Sequence, residues 1–348
     1  MRKSVACSVP YGSGGLGLHF TQIVETIRFE GKLGRYYTPQ PQEGDASGKK
    51  VVNQLSQDLN YPPVRQSSGW RNYLDGELFD RSVASQMTHA DSFQGFGGQS
   101  LHSFNRARQL GCEQLILMAA NSHVDHVSRQ HRQATATFNL ERSWLNDVQR
   151  RKTILEYQAA DFIEVASEYT RKSFLDAGFS PEKLVRTILN VHPRFVPQCR
   201  EPDGVFRIVY TGSLTVMKGI PILLEAFSRF PERNSQLILV GGWATGGMRR
   251  YIEFWLAKDT RIRLSPGDPL PHLKQADVYV HPTYEDGFAY APMEALACGV
   301  PVIVTEDTGM KEYVKEGVNG HIVPTGNWEE ILERLIACHQ HNLRGELV

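Results

Sequence analysis

The sequence carries no excess of charge of either sign. Lysine plus arginine number 38 and aspartate plus glutamate 38 in 348 residues, a formal net charge of zero. A nucleic-acid partner demands a basic excess or a basic face, so nucleic acid is excluded as the main ligand. The basic run Arg150, Arg151, Lys152 reads as a solvated helix face. Cysteine is scarce. Cys7, Cys112, Cys199, Cys298 and Cys338 are odd in number, scattered and without a CxxC pair. Neither a disulfide framework nor a zinc knuckle is expected from them, and a reducing cytoplasm is the expected setting. Long apolar runs are also missing. No stretch reaches the ~18 apolar residues of a membrane-spanning helix. The opening MRKSVACSVPYGSGG starts basic, but Pro10 breaks its short apolar run, so it reads as a first strand and not as a signal peptide.

What is present is alternation of strand and helix. A chain of 348 residues exceeds a comfortable single core, and two domains are expected. In the second half, FRIVYT (Phe206 to Thr211), QLILVGG, DVYVHPT and VPVIVTE are continuous apolar runs. Continuous runs mean strands buried on both faces. Helical segments GIPILLEAFSRF, MRRYIEFWLAK and GMKEYVKE separate them, and Asn327 with Glu330 forms a capping box before the last helix. The first half follows the same plan less clearly. SVACSVP and EQLILMAAN are strands, TRKSFLDAG is a helix stopped by Gly178, and the polar stretch from about Pro41 to Asp80 reads as a long loop. His192 to Gly204 is proline-rich and aperiodic. The expected division is therefore 1–194 and 205–348, with a linker at about 195–204. The expected fold class is α/β, two Rossmann-like doubly wound parallel-sheet domains facing a cleft, with ligands at the carboxyl ends of the strands.

Four stretches carry chemistry. HPTYEDGFAYAPMEALACGVPVIV, His281 to Val304, sets a strand end, a bend at Gly287 and a helix start near Pro292 in sequence. Asp286 and Glu294 stand on either side of the bend. Carboxylates accept paired hydrogen bonds and so suit vicinal diols. A diol at each end with phosphate between them describes a nucleotide sugar. Read singly, Glu294 is a helix-start acid and Asp286 a turn residue. The second stretch is VYTGSLTVMKGIPILLEA, where Gly212 permits close approach to a phosphate and Lys218 is a cationic donor. The third is YGSGGLGLHF, a literal GxGxxG of Gly12, Gly14 and Gly17 between strand and helix. A dinucleotide site also wants an acid at the end of the second strand, and LGRYYTPQP has none. The fourth is MAANSHVDHVSRQ, which clusters Ser122, His123, Asp125 and His126 after a strand. Its HxxH spacing lacks a third metal ligand nearby, and each histidine is equally read as a cap or solvent-facing residue.

The stretch from Ala276 to Gly326 resembles the signature region of the retaining GT-B glycosyltransferases of family 4 (glycosyl transferases group 1). In that family two glutamates separated by seven residues flank a Gly-Phe-Gly-like turn before a helix like EAMACG. DGFAYAPMEALACGVPVIV matches over most positions, and TGMKEYVKEGVNGHIVPTGN continues with Gly309, Glu312, Gly317, Asn319 and Gly320 in register. Three positions depart. Asp286 replaces the first glutamate unless Glu285 serves, Ala289 replaces the second glycine of the turn, and Ser213 stands where arginine is common. The family's long C-terminal crossover helix also has little room after ILERLIACHQ, so it is either short here or shortened.

The resemblance implies a retaining hexosyltransferase. It implies transfer from a nucleotide diphosphate sugar, UDP-linked such as UDP-glucose, to a hydroxyl on a glycan or lipid-linked acceptor, as in polysaccharide biosynthesis. Catalytic roles would fall to His123, Lys218, Asp286 and Glu294. Donor contacts would come from Gly14, Gly15, Gly212, Ser213, Lys218, Glu285, Asp286, Gly287, Phe288, Ala289 and Glu294. Within this reading Glu294 holds the ribose, Asp286 or Glu285 the sugar hydroxyls, and Lys218 the diphosphate. No metal and no cofactor are implied. The expected location is cytoplasmic, at most touching the inner face of a membrane. The loop Gly95 to Phe104 is a candidate for acceptor contacts. Two alternatives stand beside this: an NAD(P)-dependent oxidoreductase using the GxGxxG, and a non-catalytic nucleotide-sugar-binding relative.

Overall fold

A computed structural model of the chain describes residues 1–52, 68–198 and 203–344. Cys199, residues 53–67 of the expected loop and residues 199–202 of the expected linker lie outside the described residues. The chain clusters into two compact units. One holds Met1–Ser128 and Arg142–Leu189, and the other holds Arg129–Glu141 and Asn190–Val348.

The first unit is built on β1 (Lys3–Ala6), β2 (Leu33–Thr38), β3 (Gly48–Lys50), β4 (Ser92–Phe96), β5 (Gln114–Ala119), β6 (Phe162–Val165) and β7 (Leu184–Arg186). They form one sheet in the order β3-β2-β1-β4-β5-β6-β7, with every pair parallel. Helices between the strands cover the sheet, as parallel pairing requires. β4 is buried along its whole length, because Phe93 and Phe96 pack among Phe20, Phe104 and Leu117 with helices on both sides.

The stretch up to Asp80, expected as a loop, is not one throughout. A helix runs from Ser68 to Gln86. Its polar composition and two glycines hide it from a reading of periodicity. Phe79 and Val83 nevertheless supply a core face at helical spacing. The glycines serve packing: a Cβ on Gly76 would lie 3.1 Å from the Gly98 carbonyl oxygen, and one on Gly69 would lie 3.3 Å from that of Ser143.

The expected solvated basic face is also corrected. On the helix Asp147–Ala159, Arg151 is exposed, but Lys152 is only 5% exposed. Its Nζ sits 2.9 Å from Glu77 and 3.0 Å from Asp80. A buried ammonium survives only with such partners. Arg150 pairs with Asp125. One turn on, fully buried Glu156 has its pKa raised to about 8 by burial, against the pull of Lys152.

The second unit is built on β8 (Phe206–Thr211), β9 (Ser235–Val240), β10 (Ile262–Leu264), β11 (Val278–His281), β12 (Val302–Thr305) and β13 (Gly320–Val323). Their order is β10-β9-β8-β11-β12-β13, again all parallel. Ile208, Leu237, Leu239, Val278 and Val280 are fully buried, and each such side chain contributes about 1.5–3 kcal/mol on burial. Asn327 caps the helix Trp328–Arg344 as expected, its Oδ1 accepting from the Glu330 N–H at 3.0 Å. The helix expected over GMKEYVKE is a single 3₁₀ turn, Gly309–Tyr313. Its start is tied down by the Gly309 N–H on the Asp286 carbonyl (3.0 Å), and the chain turns again at Gly317, where φ is +71°.

Arg129–Glu141 belongs to this second unit although it lies in the first half of the sequence. Ala134 is buried in its core, with Phe138 and Leu140 packed against it. A Cβ on Gly247 would lie 1.8 Å from the Leu140 carbonyl oxygen, so only glycine fits there. The buried Glu141 carboxyl accepts from the Val216 N–H (2.6 Å) and the Thr245 hydroxyl (2.9 Å).

Candidate functional site

In the second sheet the chain moves outward from β8 to β10, then returns to place β11 on the other side of β8. The connections after β8 and β11 therefore leave in opposite directions. In open parallel sheets this reversal opens the crevice where ligands bind. The loop after β8 carries Gly212, Ser213 and Lys218, and the loop after β11 carries Glu285 to Ala289.

Geometry joins the two loops. The Lys218 Nζ lies 2.5 Å from the Asp286 Oδ2. On the same oxygen, at 3.3 Å, sits the Nε2 of His281, the last residue of β11. It is Asp286 and not Glu285 that meets the lysine. Burial would raise the Asp286 pKa, but Lys218 and His281 overcome this and hold it well below the usual carboxylate range. Burial lowers the pKa of His281 despite the neighbouring carboxylate. Glycine geometry brings the loops this close: at Gly219 φ is +70°, and a Cβ would lie 1.8 Å from the Pro282 carbonyl oxygen. Gly212 and Ser213 are exposed, and the Ser213 carbonyl accepts from the Tyr210 hydroxyl at 2.9 Å.

Glu285 and Phe288 are buried, and the Phe288 ring meets Tyr290 and Tyr313 edge-on. Ala289 has φ +69°, and among the described residues no other non-glycine has positive φ. The turn thus keeps the backbone of the glycine it lacks, with strain on the order of 1–3 kcal/mol. The helix that follows is Tyr290–Ala297, starting before the expected Pro292. Glu294 is then its fifth residue, beyond the first turn where the helix dipole favours an acid. It is 9% exposed. Burial raises its pKa to about 7; Arg194 lowers it and Asp268 raises it further. A buried carboxyl poised near neutrality needs a reason beyond capping.

The other expected residues lie in the first unit. Gly14 and Gly15 are exposed at the start of the helix Gly14–Phe29. Gly17 is sterically required, since its Cβ would lie 2.7 Å from the Pro10 carbonyl oxygen. His123 is buried, with Tyr157, Phe174 and Phe179 at ring distances of 5.1, 5.3 and 5.6 Å. Its Nδ1 accepts from the Asp125 N–H at 3.3 Å. His126 reaches the Tyr169 hydroxyl instead (2.8 Å), so the HxxH pair does not converge. Among the described residues one group has metal-like spacing, Glu77, Asp80 and His102, with ligand atoms within 4.8 Å of one another. The Lys152 ammonium on both acids already supplies the counter-charge.

Sequence reasoning missed His281, Glu141 and His131. Glu141 holds the Val216 N–H, in the loop that ends in Lys218. His131 is buried, and burial, then the charge of Lys218, lowers its pKa to about 3. No local motif marks either residue, because both act across about eighty positions of sequence.

The whole chain superposes on sucrose-phosphate synthase from Thermosynechococcus elongatus with a TM-score of 0.74 at 18% identity, covering 100% of this chain and 92% of that one. It superposes on Anabaena HepE in complex with UDP and glucose with a TM-score of 0.70 at 16% identity, over the same shares. The fold is that of the GT-B glycosyltransferases. Residues 193–342 match the family model described as Glycosyl transferases group 1. An uncharacterized glycosyltransferase of Methanocaldococcus jannaschii is 36% identical over 125 residues, 34% of this chain. The match spans only 32% of that relative's length.

Proposed function

We propose that the protein is a retaining glycosyltransferase that moves a hexose from a UDP-linked sugar to a hydroxyl acceptor. The observation that carries this is the contact of Lys218 with Asp286 at the β8/β11 crevice, with Glu294 buried in the helix that follows the same loop. A cation for the diphosphate lies beside one acid suited to hydroxyls, and a second acid follows on the next helix. The UDP complex of the structurally similar Anabaena protein supports the choice of nucleotide.

In this reading Glu294 accepts from the ribose diol, and Asp286 from hydroxyls of the donor sugar. Lys218 and the amides near Gly212 face the diphosphate. The bond from the anomeric carbon to the diphosphate oxygen breaks as the acceptor oxygen approaches the same face. The acceptor proton passes to a departing diphosphate oxygen, and the oxocarbenium-like centre collapses to the new glycoside. Positive charge beside the diphosphate stabilises that departure more than it stabilises the bound donor. Gly14, Gly15 and His123 remain proposed contacts from the first unit, and the chemistry as proposed uses no metal or cofactor. The reaction is placed in the cytoplasm and in glycan or polysaccharide synthesis.

The test is incubation with UDP-hexoses and a panel of glycan acceptors, followed by NMR of the anomeric proton. The expected product keeps the donor's anomeric configuration. An inverted product refutes retention, and no turnover of any UDP-hexose refutes the donor class.

A further inference from the structure

The loop that carries Lys218 runs from the end of β8 to the helix Ile220–Ser228. Backbone contacts with the loop after β9 fix its first part. The Gly212 N–H donates to the Val240 carbonyl and the Leu214 N–H to the Gly242 carbonyl, both at 2.9 Å. The second part is a turn at 216–219, closed by the Gly219 N–H on the Val216 carbonyl at 2.9 Å. One side of this turn is held by the connection after β11. The Met217 carbonyl accepts from the Tyr284 N–H (2.9 Å) and the Thr283 hydroxyl (3.2 Å). The other side is held by Glu141, whose carboxyl accepts from the Val216 N–H at 2.6 Å. We propose that Glu141 is a positioning residue for glycosyl transfer, which holds the turn at 216–219 so that the Lys218 ammonium is presented to the diphosphate. This rests on the donor reading of the β8/β11 crevice and adds a residue 75 positions ahead of the amide it holds.

The first argument is burial. Val216 is fully buried and Glu141 is 9% exposed. A buried N–H needs an acceptor. Without the carboxyl the turn would have to shift to find another, and Lys218 would move with it.

The second argument is that Glu141 is itself held rigidly. Its other oxygen accepts from the Thr245 hydroxyl at 2.9 Å. Thr245 in turn caps the helix Gly246–Lys258, accepting from the Met248 N–H at 3.3 Å. The carboxyl therefore ties the lysine loop to the start of that helix. Burial raises its pKa, and the bonds from Val216 and Thr245 oppose the rise. An apolar side chain would escape that cost and leave the Val216 N–H without its acceptor.

The third argument is proximity. The same segment, Arg129–Glu141, brings buried His131 near enough to Lys218 for the ammonium to add to the lowering of its pKa by burial. The segment thus borders the lysine side chain as well as its loop.

The test is single-turnover transfer from a UDP-hexose, with calorimetric titration of UDP and melting temperatures alongside. It is run on wild type, Glu141→Ala, Glu141→Gln, Thr245→Val, Lys218→Ala and the double variant Glu141→Ala/Lys218→Ala. Glu141→Ala is expected to slow transfer about 10- to 100-fold, as a small misplacement of a catalytic group does, and to weaken UDP binding less. In the Lys218→Ala background the same change should cost no more than about twofold, because the two residues act as one unit. Glutamine keeps an acceptor for Val216 and a donor for Thr245, so Glu141→Gln should transfer at nearly the wild-type rate. Thr245→Val removes the cap but not the Val216 contact, and should lower the melting temperature with transfer nearly intact. Glu141→Met keeps most of the volume and repeats the comparison should the alanine variant fold poorly. Unchanged transfer in Glu141→Ala and Glu141→Met, an undiminished loss in the Lys218→Ala background, or a glutamine variant as slow as alanine overturns the proposal. A wild type that neither binds UDP nor turns over a UDP-hexose refutes the donor reading and this proposal with it. A wild type that does both beside an unaffected Glu141→Ala refutes this proposal alone.

Discussion

Replacing Glu294 by glutamine separates its proposed role from that of a helix acid. In the unliganded protein the Glu294 pKa is raised from 4.5 to about 7. That difference penalises the charged form by on the order of 3 kcal/mol. The native state therefore binds the proton more tightly than the unfolded chain does. Its contribution is fully present below pH 4.5, declines as pH rises, and is lost above about pH 7. Glutamine cannot ionise, so the unliganded variant should gain in melting temperature over wild type as pH goes from 5 to 8. UDP should reverse the ranking at pH 8. There the wild-type carboxylate accepts charge-assisted hydrogen bonds worth about 1.5–3 kcal/mol, roughly 10- to 150-fold in affinity. Near pH 5.5 the wild-type carboxyl is protonated and the two proteins should converge. The assay is calorimetric titration with UDP at both pH values. Taking the ratio of wild type to variant cancels the titration of the nucleotide's own phosphate. A ratio near one at pH 8, or a large ratio that does not fall with pH, refutes the reasoning.

Lys218→Ala should lower the transfer rate by more than it lowers donor affinity, and EDTA should leave wild-type activity intact; initial-rate kinetics with and without chelator read both. Asp286→Ala should cut turnover while leaving UDP affinity nearly intact, and Glu285→Ala should not mimic it. Ala289→Gly relieves the positive-φ strain at a smaller entropic cost, so urea denaturation should show a gain of about 1 kcal/mol. Lys152→Met leaves the fully buried Asp80 without its ammonium partner and should destabilise by about 3–5 kcal/mol, read in the same way.

The parallel sheets were legible because their strands are continuous apolar runs such as FRIVYT and QLILV, which only a doubly covered sheet accommodates. Lys218 and Asp286 were legible as loop residues following strands. Their 2.5 Å contact was not, because it depends on β8 and β11 being neighbours. The helix Ser68–Gln86 escaped notice because its glycines suit a close approach to Gly98 and Ser143, at the expense of intrinsic helix propensity. Lys152 looked like a solvated residue because its compensating acids, Glu77 and Asp80, lie more than seventy positions away. Gly17 shows the converse: its steric need against Pro10 accounts for the third glycine of a dinucleotide-like signature without any dinucleotide.

The central claim is that the β8/β11 crevice holds the diphosphate nucleotide of a sugar donor. The melting temperature of the protein with UDP, beside that with NAD⁺, tests it most directly, since a ligand bound by the native state alone raises it. The account predicts a concentration-dependent rise with UDP and none with NAD⁺. A rise with NAD⁺ alone, or no rise with UDP at millimolar concentration, would contradict it.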